Sequence, residues 1–269
     1  MSSYPSIYLL VSHNYIPVLM HMLYSLKNHQ EFIHTKLNYL TFNITSDDLK
    51  FLESTGANIK KVTIQKKNQT NKTIAHLSKM CLDIIIEEDE FIFIDTDMWF
   101  QDLRCFDVIW KSTLKEGIGA TYTKRTKTSK DFHKYSLINK PVKAIPSYIL
   151  NSGILSIYKQ TQLFEKARSY ININKQEITP TEEQTCLNYA MHELGVTTSI
   201  PWFCNWLVNW NKQEKITLKN GIIYVNDVKP FVIHNLLSTY EIPQKIYINN
   251  NVFALILIPE LCDNFKYYG

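Results

Sequence analysis

Residues 91–100 read FIFIDTDMWF, a run of four apolar residues followed by two aspartates, Asp95 and Asp97. A short apolar run of this kind is typical of a strand that is buried on both faces. Because alternate side chains of a strand point to opposite faces, the two carboxylates are expected on one side and Thr96 on the other. Neighbouring carboxylates repel each other unless a proton or a cation lies between them. The stretch therefore predicts a buried strand that ends in a site for Mn²⁺ or Mg²⁺.

The chain on either side of this stretch alternates between strand and helix patterns. Short apolar runs at SIYLLVS, LNYLTFNI and NIKKVTI precede it, and apolar residues at helical spacing separate them. Thr45 and Asp48 have the spacing of a capping box at a helix start. Later strand patterns are GIGATYT, YILNSGILSIY, GIIYVND and PFVIHN, with a helix pattern at PTEEQTCLNYAMHEL. This order predicts an α/β fold with a mixed, mainly parallel sheet flanked by helices.

The composition is that of a soluble globular protein. The chain has 269 residues, of which 45% are hydrophobic, and a net charge of +4 that is too small to indicate nucleic-acid binding. Its five cysteines show no CxxC spacing, which favours a reducing compartment over a disulfide framework or a zinc site. No signal peptide or membrane span is evident, and the late run VFALILIPEL fits a core element better than a membrane-surface patch. We therefore expect one cytoplasmic domain over residues 1–269.

The position of the two aspartates indicates a nucleotide ligand. Ligands of doubly wound sheets bind beyond the carboxyl ends of the strands, and a metal held by two or three protein groups keeps positions for diphosphate oxygens. The sequence contains neither GxxxxGKS/T nor GxGxxG, which argues against a P-loop NTPase or a dinucleotide oxidoreductase. A nucleotide-sugar site remains. For the Asp-x-Asp triplet alone, an exposed pair of acids at a strand end is the alternative interpretation.

Several short motifs occur in an order that is typical of one enzyme group. The sequence resembles, over about residues 7 to 236, the GT-A-fold glycosyltransferases of the retaining family-8 type, which include glycogenin and bacterial lipopolysaccharide glycosyltransferases. The motifs that carry the resemblance are Tyr15 with Ser25 and Leu26, Lys79 sixteen residues before Asp95, Asn151-Ser152-Gly153, Glu183-Gln184, and PFVIH ending at His234.

The resemblance implies a GT-A fold and a set of site residues. A nucleotide-binding half would span about residues 1–100, and a half at about 101–269 would complete the sheet and receive the acceptor. Mn²⁺, or Mg²⁺, would be held by Asp95, Asp97 and His234. The residues implied to face the donor, a UDP-sugar, are Val11, Ser12 and Tyr15 at the base, Lys79 and Thr96 along the donor, and the catalytic residues Asn151, Glu183 and Gln184 at the sugar.

Two features depart from the pattern of the family. The family follows its histidine with Gly and then Lys-Pro-Trp, which hold the diphosphate, whereas His234 is followed by Asn-Leu-Leu and the next lysine is Lys245. Glu183 also replaces the commoner Asp. Three residues have a plainer interpretation as well: His234 as a core histidine, Lys79 as a solvated helix residue, and Glu183 as an acid that stabilises a helix N-terminus.

Three tryptophans form a further pattern. Trp202, Trp206 and Trp210 recur every four residues, which predicts a helix with its indoles on one side. Such a row would either pack in the core or offer a flat surface to sugar rings.

We expect a metal-dependent retaining glycosyltransferase that moves a hexose from a nucleoside diphosphate sugar to a hydroxyl acceptor such as a glycan. Two alternatives remain open. A sugar-1-phosphate nucleotidyltransferase would share the fold and the metal, but it needs a Gly-rich, basic loop after the first strand, where this chain has SHNYIP. A non-catalytic module that binds glycans or nucleotide sugars is favoured by the altered segment after His234.

Overall fold

The structure of the protein, a computed structural model, describes residues 4–27, 29, 37–63, 70–124, 148–171, 177–198, 200–207, 215–234, 245–248 and 251–254. The helices are α1 (Ile16–Lys27), α2 (Ser46–Ser54), α3 (Asn71–Lys79), α4 (Leu82–Ile85), α5 (Arg104–Glu116), α6 (Leu163–Arg168) and α7 (Pro180–Leu194). The strands are β1 (Ile7–Val11), β2 (Leu37–Thr41), β3 (Asn58–Lys61), β4 (Glu90–Ile94), β5 (Met98–Phe100), β6 (Ile118–Lys124), β7 (Tyr148–Tyr158), β8 (Trp206–Leu207), β9 (Ile216–Lys219), β10 (Ile222–Val225), β11 (Val232–His234), β12 (Lys245–Ile248) and β13 (Asn251–Ala254).

The central sheet is mixed and mainly parallel, as the alternating pattern predicts. Its strand order is β3-β2-β1-β4-β7-β6. The first four of these strands are parallel, while β7 runs antiparallel to both β4 and β6. The carboxyl ends of β1, β2, β3 and β4 therefore lie at one edge of the sheet. Every residue of β1 and β2 is buried, since helices cover both faces.

Alternate residues of β4 supply the two apolar layers of the protein. Phe91 and Phe93 pack on one face among residues of α3, α4, α6 and α7, whereas Ile92 and Ile94 pack on the other among residues of α1 and α5. Burying one such side chain contributes roughly 1.5–3 kcal/mol. The FIFI run therefore anchors the sheet at the strand whose carboxyl end leads into Asp95.

The FIFIDTDMWF stretch is not one strand. β4 ends at Ile94, a bend carries Asp95 to Asp97, and β5 then enters a separate three-stranded sheet of order β5-β11-β8. In that sheet β11 pairs antiparallel with β5, so that His234 lies opposite Met98. A strand formed more than a hundred residues later thus brings its last residue beside the two aspartates.

Other predictions from the sequence have mixed outcomes. The capping box of Thr45 and Asp48 is confirmed at the start of α2. The predicted tryptophan helix is wrong, because Trp202 lies in a 3₁₀ turn and Trp206 begins β8, while Trp210 lies outside the described residues. A four-stranded sheet of order β10-β9-β12-β13 completes the described part of the chain. No helix within that part is long and apolar enough to cross a membrane.

Candidate metal centre

The bend after β4 is held against β7 by a backbone contact. The N–H of Asp95 donates a hydrogen bond of 2.7 Å to the carbonyl of Gly153. A Cβ atom at position 153 would overlap the ring of His234 and lie 2.8 Å from Cε of Met98. Only glycine therefore lets β7 approach the bend and the end of β11 this closely.

Asp95, Asp97 and His234 meet at this point. One ligand atom from each lies within 4.8 Å of the others, which is close enough for a shared cation. His234 is 4% exposed, and its Nε2 lies 3.3 Å from Oδ1 of Asp97. The two carboxylates converge as predicted, although a bend rather than an extended strand brings them together.

Burial and neighbouring charges shift the pKa of two of these groups. Burial raises the pKa of Asp95, and the charge of Lys79 offsets only part of that rise. Burial would lower the pKa of His234, but the charge of Asp97 and its hydrogen bond raise it. The shift of Asp95 is due mainly to loss of solvent, and that of His234 to the nearby carboxylates.

Lys79 is buried beside the acids and is not a solvated helix residue. Its Nζ lies 2.6 Å from Oδ1 and 2.7 Å from Oδ2 of Asp95, and 5.3 Å from the centre of the Phe93 ring. Burial would lower the pKa of Lys79, but the charges of Asp95 and Glu183 raise it. The ammonium group is therefore a buried positive charge in contact with Asp95.

Glu183, near the start of α7, is a second carboxylate whose charge acts on this lysine. It has no exposed surface, and its Oε2 lies 2.8 Å from Nδ1 of His76 on α3. Burial would raise the pKa of Glu183, but the charge of Lys79 and the hydrogen bond with His76 lower it. His76 was missed by the sequence reasoning. Its spacing of three residues before Lys79, on the same side of a helix, is the signal that could have found it.

Asn151 and Gln184 each contact a residue of the Asn-Ser-Gly motif or its neighbour on β11. The Oδ1 of Asn151 accepts a 2.9 Å hydrogen bond from the N–H of Gly153, and its Nδ2 lies 3.4 Å from Nδ1 of His234. Nε2 of Gln184 donates to Oγ of Ser152 at 3.5 Å. The Asn-Ser-Gly motif and the Glu-Gln motif are thus brought together, as the resemblance implies.

The residues predicted to contact the nucleotide base and the rest of the donor differ in their surroundings. Burial raises the pKa of Tyr15, and the charges of Asp95 and Asp97 raise it further, so its phenol lies near the acids. Ser12 is buried, and its hydroxyl finds no hydrogen-bond partner among the described residues. Val11 packs in the core beneath α1, so any contact with a base would come from its backbone. Thr96 is buried within the bend.

Comparison with solved structures identifies the fold. The galactosyltransferase LgtC, solved in complex with donor and acceptor sugar analogs, is 14% identical with a TM-score of 0.57 over 86% of this chain and 87% of that chain. The bifunctional glycosyltransferase WbbM is 13% identical, with a TM-score of 0.52 over 87% of this chain and 46% of that chain. The glycosyltransferase GlyE of Streptococcus pneumoniae is 13% identical, with a TM-score of 0.51 over 98% of this chain and 60% of that chain.

Sequence comparisons add nothing to this. No family model matches the chain, and no curated protein matches it at a significant level. The chain has the GT-A fold of these glycosyltransferases, as predicted, and at this low identity the likeness establishes the fold alone.

Proposed function

We propose that the protein is a metal-dependent glycosyltransferase that moves a hexose from a nucleoside diphosphate sugar, and specifically a UDP-sugar, to a hydroxyl acceptor such as a glycan. The observation that carries this proposal is the meeting of Asp95, Asp97 and His234 at the carboxyl end of the central sheet. Ligands of open α/β sheets bind at this end. A galactosyltransferase with the same fold was solved with donor and acceptor sugar analogs.

The chemistry of the three ligands fits Mn²⁺ or Mg²⁺. Carboxylate oxygens suit both ions, and the imidazole of His234 favours Mn²⁺. Asp95, Asp97 and Glu183 bring three negative charges and Lys79 one positive charge, which leaves −2 when the histidines are neutral. A divalent ion would balance that charge. When bound, such an ion would act as a Lewis acid that stabilises the negative charge on the departing diphosphate.

The protein's own side chains would orient the rest of the donor. Lys79 would hold its positive charge close to the diphosphate, and Tyr15 would offer its ring to the base. Asn151, Glu183 and Gln184 would face the sugar and act in the transfer, while Thr96 and the backbone at Val11 and Ser12 would contact the remainder of the donor. By the resemblance, we propose that the sugar is transferred with retention at its anomeric carbon.

Slow hydrolysis of the donor tests this proposal without knowledge of the acceptor. The protein would be incubated with Mn²⁺ and a panel of UDP-, GDP- and ADP-sugars, and the release of nucleoside diphosphate measured. We expect release from at least one UDP-sugar and none in the presence of a chelator. Glu87→Gln, a change at the far end of β4, is the matched control for variants of Asp95 and Asp97.

The same assay separates the alternatives. Tight binding of a nucleotide sugar without turnover, with or without added glycan acceptors, would favour the non-catalytic module. The altered segment after His234 that motivates this alternative lies outside the described residues. Pyrophosphate release from a nucleoside triphosphate and a sugar 1-phosphate would favour the nucleotidyltransferase. Failure to bind any of these compounds in the presence of Mn²⁺ would overturn all three.

We also propose a cytoplasmic location. The described cysteines Cys81, Cys105, Cys186 and Cys204 are free thiols, which supports a reducing compartment. Mass spectrometry of protein alkylated in cell lysates would test this, and we expect reduced thiols at all four positions.

A further inference from the structure

We propose that His76 is a positioning residue that holds one carboxylate oxygen of Glu183 and leaves the other to accept hydrogen bonds from the hydroxyl groups of the donor sugar. This inference rests on the proposed function and deepens it, since it names how this chain would recognise the sugar part of its donor. The residues that carry it lie on α3 and α7.

The contact between the two residues is short and enclosed. Nδ1 of His76 lies 2.8 Å from Oε2 of Glu183, and the two side chains are 11% and 0% exposed. An enclosed hydrogen bond to a carboxylate is stronger than one in water, because no solvent competes for either group. The bond fixes the rotation of the Glu183 carboxylate.

Glu183 is not needed for the start of its helix. Thr179 caps α7, and the neighbouring Glu182 completes a capping box by accepting a 2.8 Å hydrogen bond from the N–H of Thr179. The plain interpretation of an acid at a helix N-terminus therefore belongs to Glu182. Glu183 instead turns inward to His76 and Lys79.

The second oxygen of Glu183, Oε1, is the one that His76 does not hold. Oε1 is buried and has no partner within hydrogen-bond geometry among the described residues, while a hydrogen bond from the Ser152 hydroxyl to this carboxyl helps to lower its pKa. A carboxylate has about four acceptor positions, which His76 and Ser152 do not fill, and sugar hydroxyl groups are donors. Glutamate has one more rotatable bond than aspartate, so the bond from His76 is what makes the longer side chain a rigid acceptor.

The experiment compares nucleotides with and without the sugar. Binding of UDP, UDP-glucose and UDP-galactose in the presence of Mn²⁺ would be measured by calorimetry for the wild type, His76→Leu and His76→Asn. We expect His76→Leu to weaken binding of the preferred UDP-sugar by about tenfold or more and to change UDP binding by less than about twofold. His76→Asn keeps an N–H donor near Nδ1 and should stay within about threefold of the wild type for both.

If His76 only tied α3 to α7, its removal would lower stability without changing the recognition of the sugar. Thr198→Val is the matched control, because the buried Thr198 hydroxyl ties the segment after α7 to β6 through hydrogen bonds of 3.2 and 2.8 Å with the N–H and the carbonyl of Ala120. It should lower the melting temperature and leave the ratio of UDP-sugar to UDP affinity unchanged. If His76→Leu behaves in the same way, or if His76→Asn is as defective as His76→Leu, the positioning role is wrong.

The outcome also separates this inference from the proposed function. Wild-type protein that binds none of the three nucleotides overturns the proposed donor and the role of His76 together. Wild-type protein that prefers UDP-sugars, with a His76→Leu variant that shares the preference, overturns the role of His76 alone. In the double variant with Glu183→Gln, the loss caused by His76→Leu should disappear, since the carboxylate that it positions is gone.

Discussion

Acidic residues flank β4 at both ends, but the two groups lie in different surroundings. Before the strand, Glu87 in the EEDE run pairs with Lys60 at 2.5 Å, with side chains that are 86% and 48% exposed. After the strand, Asp95 pairs with Lys79 at 2.6 Å, with side chains that are 24% and 8% exposed. Composition alone does not distinguish the two pairs. Burial does, because water and salt screen the first pair and hardly reach the second.

The polar groups at the two ends differ in the same way. At the amino end a groove of about 500 Å³ is lined in part by Tyr8, Asn38 and Asn58. Nδ2 of Asn58 already donates to Oδ1 of Asn38 at 2.8 Å, so these amides satisfy each other. At the carboxyl end, ligand atoms of Asp95, Asp97 and His234 instead lie within 4.8 Å of one another. Converging groups that could share a cation, rather than a concave surface, mark the candidate site.

The largest expected effect of any single change is at the metal ligands. Asp97→Asn should lower metal-dependent turnover by about 100-fold or more, because a neutral amide replaces one of two charged ligands. Its fold should persist, as judged by circular dichroism. Turnover within about twofold of the wild type would contradict the metal site, and Glu87→Gln is expected to retain full activity.

Removal of the buried lysine should destabilise the protein. Lys79→Met leaves Asp95 beside Asp97 without its partner, and breaking a buried ion pair costs about 3 kcal/mol. We expect the low end of the usual range, because the Asp95 side chain is still 24% exposed to solvent, which can partly stabilise its charge. Urea unfolding would measure it. Lys60→Met at the amino end should leave the free energy of unfolding unchanged. Equal losses for Lys60→Met and Lys79→Met would show that burial does not distinguish the two ion pairs.

A methyl group added at Gly153 should lower the stability of the protein less than removal of Lys79 does. Gly153→Ala forces a Cβ into the ring of His234 and against Met98, and such overpacking costs about 1–3 kcal/mol. Because His234 must move, the affinity for Mn²⁺ should also fall. Gly119→Ala meets the Ile109 carbonyl and Thr113 in a comparable clash remote from the acids, and it should lose stability but not Mn²⁺ affinity. Calorimetry on both variants tests this, and unchanged Mn²⁺ binding by Gly153→Ala would remove His234 from the ligand set.

The smallest expected effect is a difference in salt dependence between two glutamates. The hydrogen bond and charge of Lys60 lower the pKa of Glu87, whereas Lys79 and His76 overcome burial to lower that of Glu183. A lowered pKa means that each carboxylate stabilises the fold above its unfolded pKa of about 4.3, and that this contribution is lost as the pH falls through the folded value. In NMR titrations, NaCl at about 0.5 M should return the pKa of Glu87 toward its ordinary value and move that of Glu183 less. Equal changes in the pKa of Glu87 and Glu183 on adding salt would contradict the idea that burial shields Glu183 from screening.

Much of the fold follows from local patterns that physical chemistry makes reliable. The FIFI run could only be a strand covered on both faces, and the strand-helix alternation before it implies a parallel sheet with a shared carboxyl edge. Pro180 and Leu194 bound α7 as the predicted helix segment does, since Thr179, Pro180 and Gly195 mark its two ends. The convergence of Asp95 and Asp97 follows from their position at that edge.

The features that sequence reasoning missed depend on contacts between distant segments. The spacing of Trp202 and Trp206 suits a helix, yet the pairing of β8 with β11 overrides it. Periodicity likewise cannot show that FIFIDTDMWF bends between two sheets, because both of its halves are apolar. His76 belongs to none of the motifs, and its contact with Glu183 forms only when α3 and α7 come together. Local sequence preference predicts the secondary structure of a segment correctly unless pairing with a distant strand is more favourable.

The bend at Asp95 to Asp97 joins the six-stranded sheet to the three-stranded sheet that carries His234. An ion coordinated by Asp95, Asp97 and His234 would therefore be a removable cross-link between segments that lie far apart along the chain. Since the unfolded chain cannot assemble those ligands, the ion would stabilise only the native state, by about 2.7 kcal/mol at one hundred times its dissociation constant. Heat resistance that rises with Mn²⁺ concentration would then accompany donor recognition, and proteases would cut the chain faster after chelation.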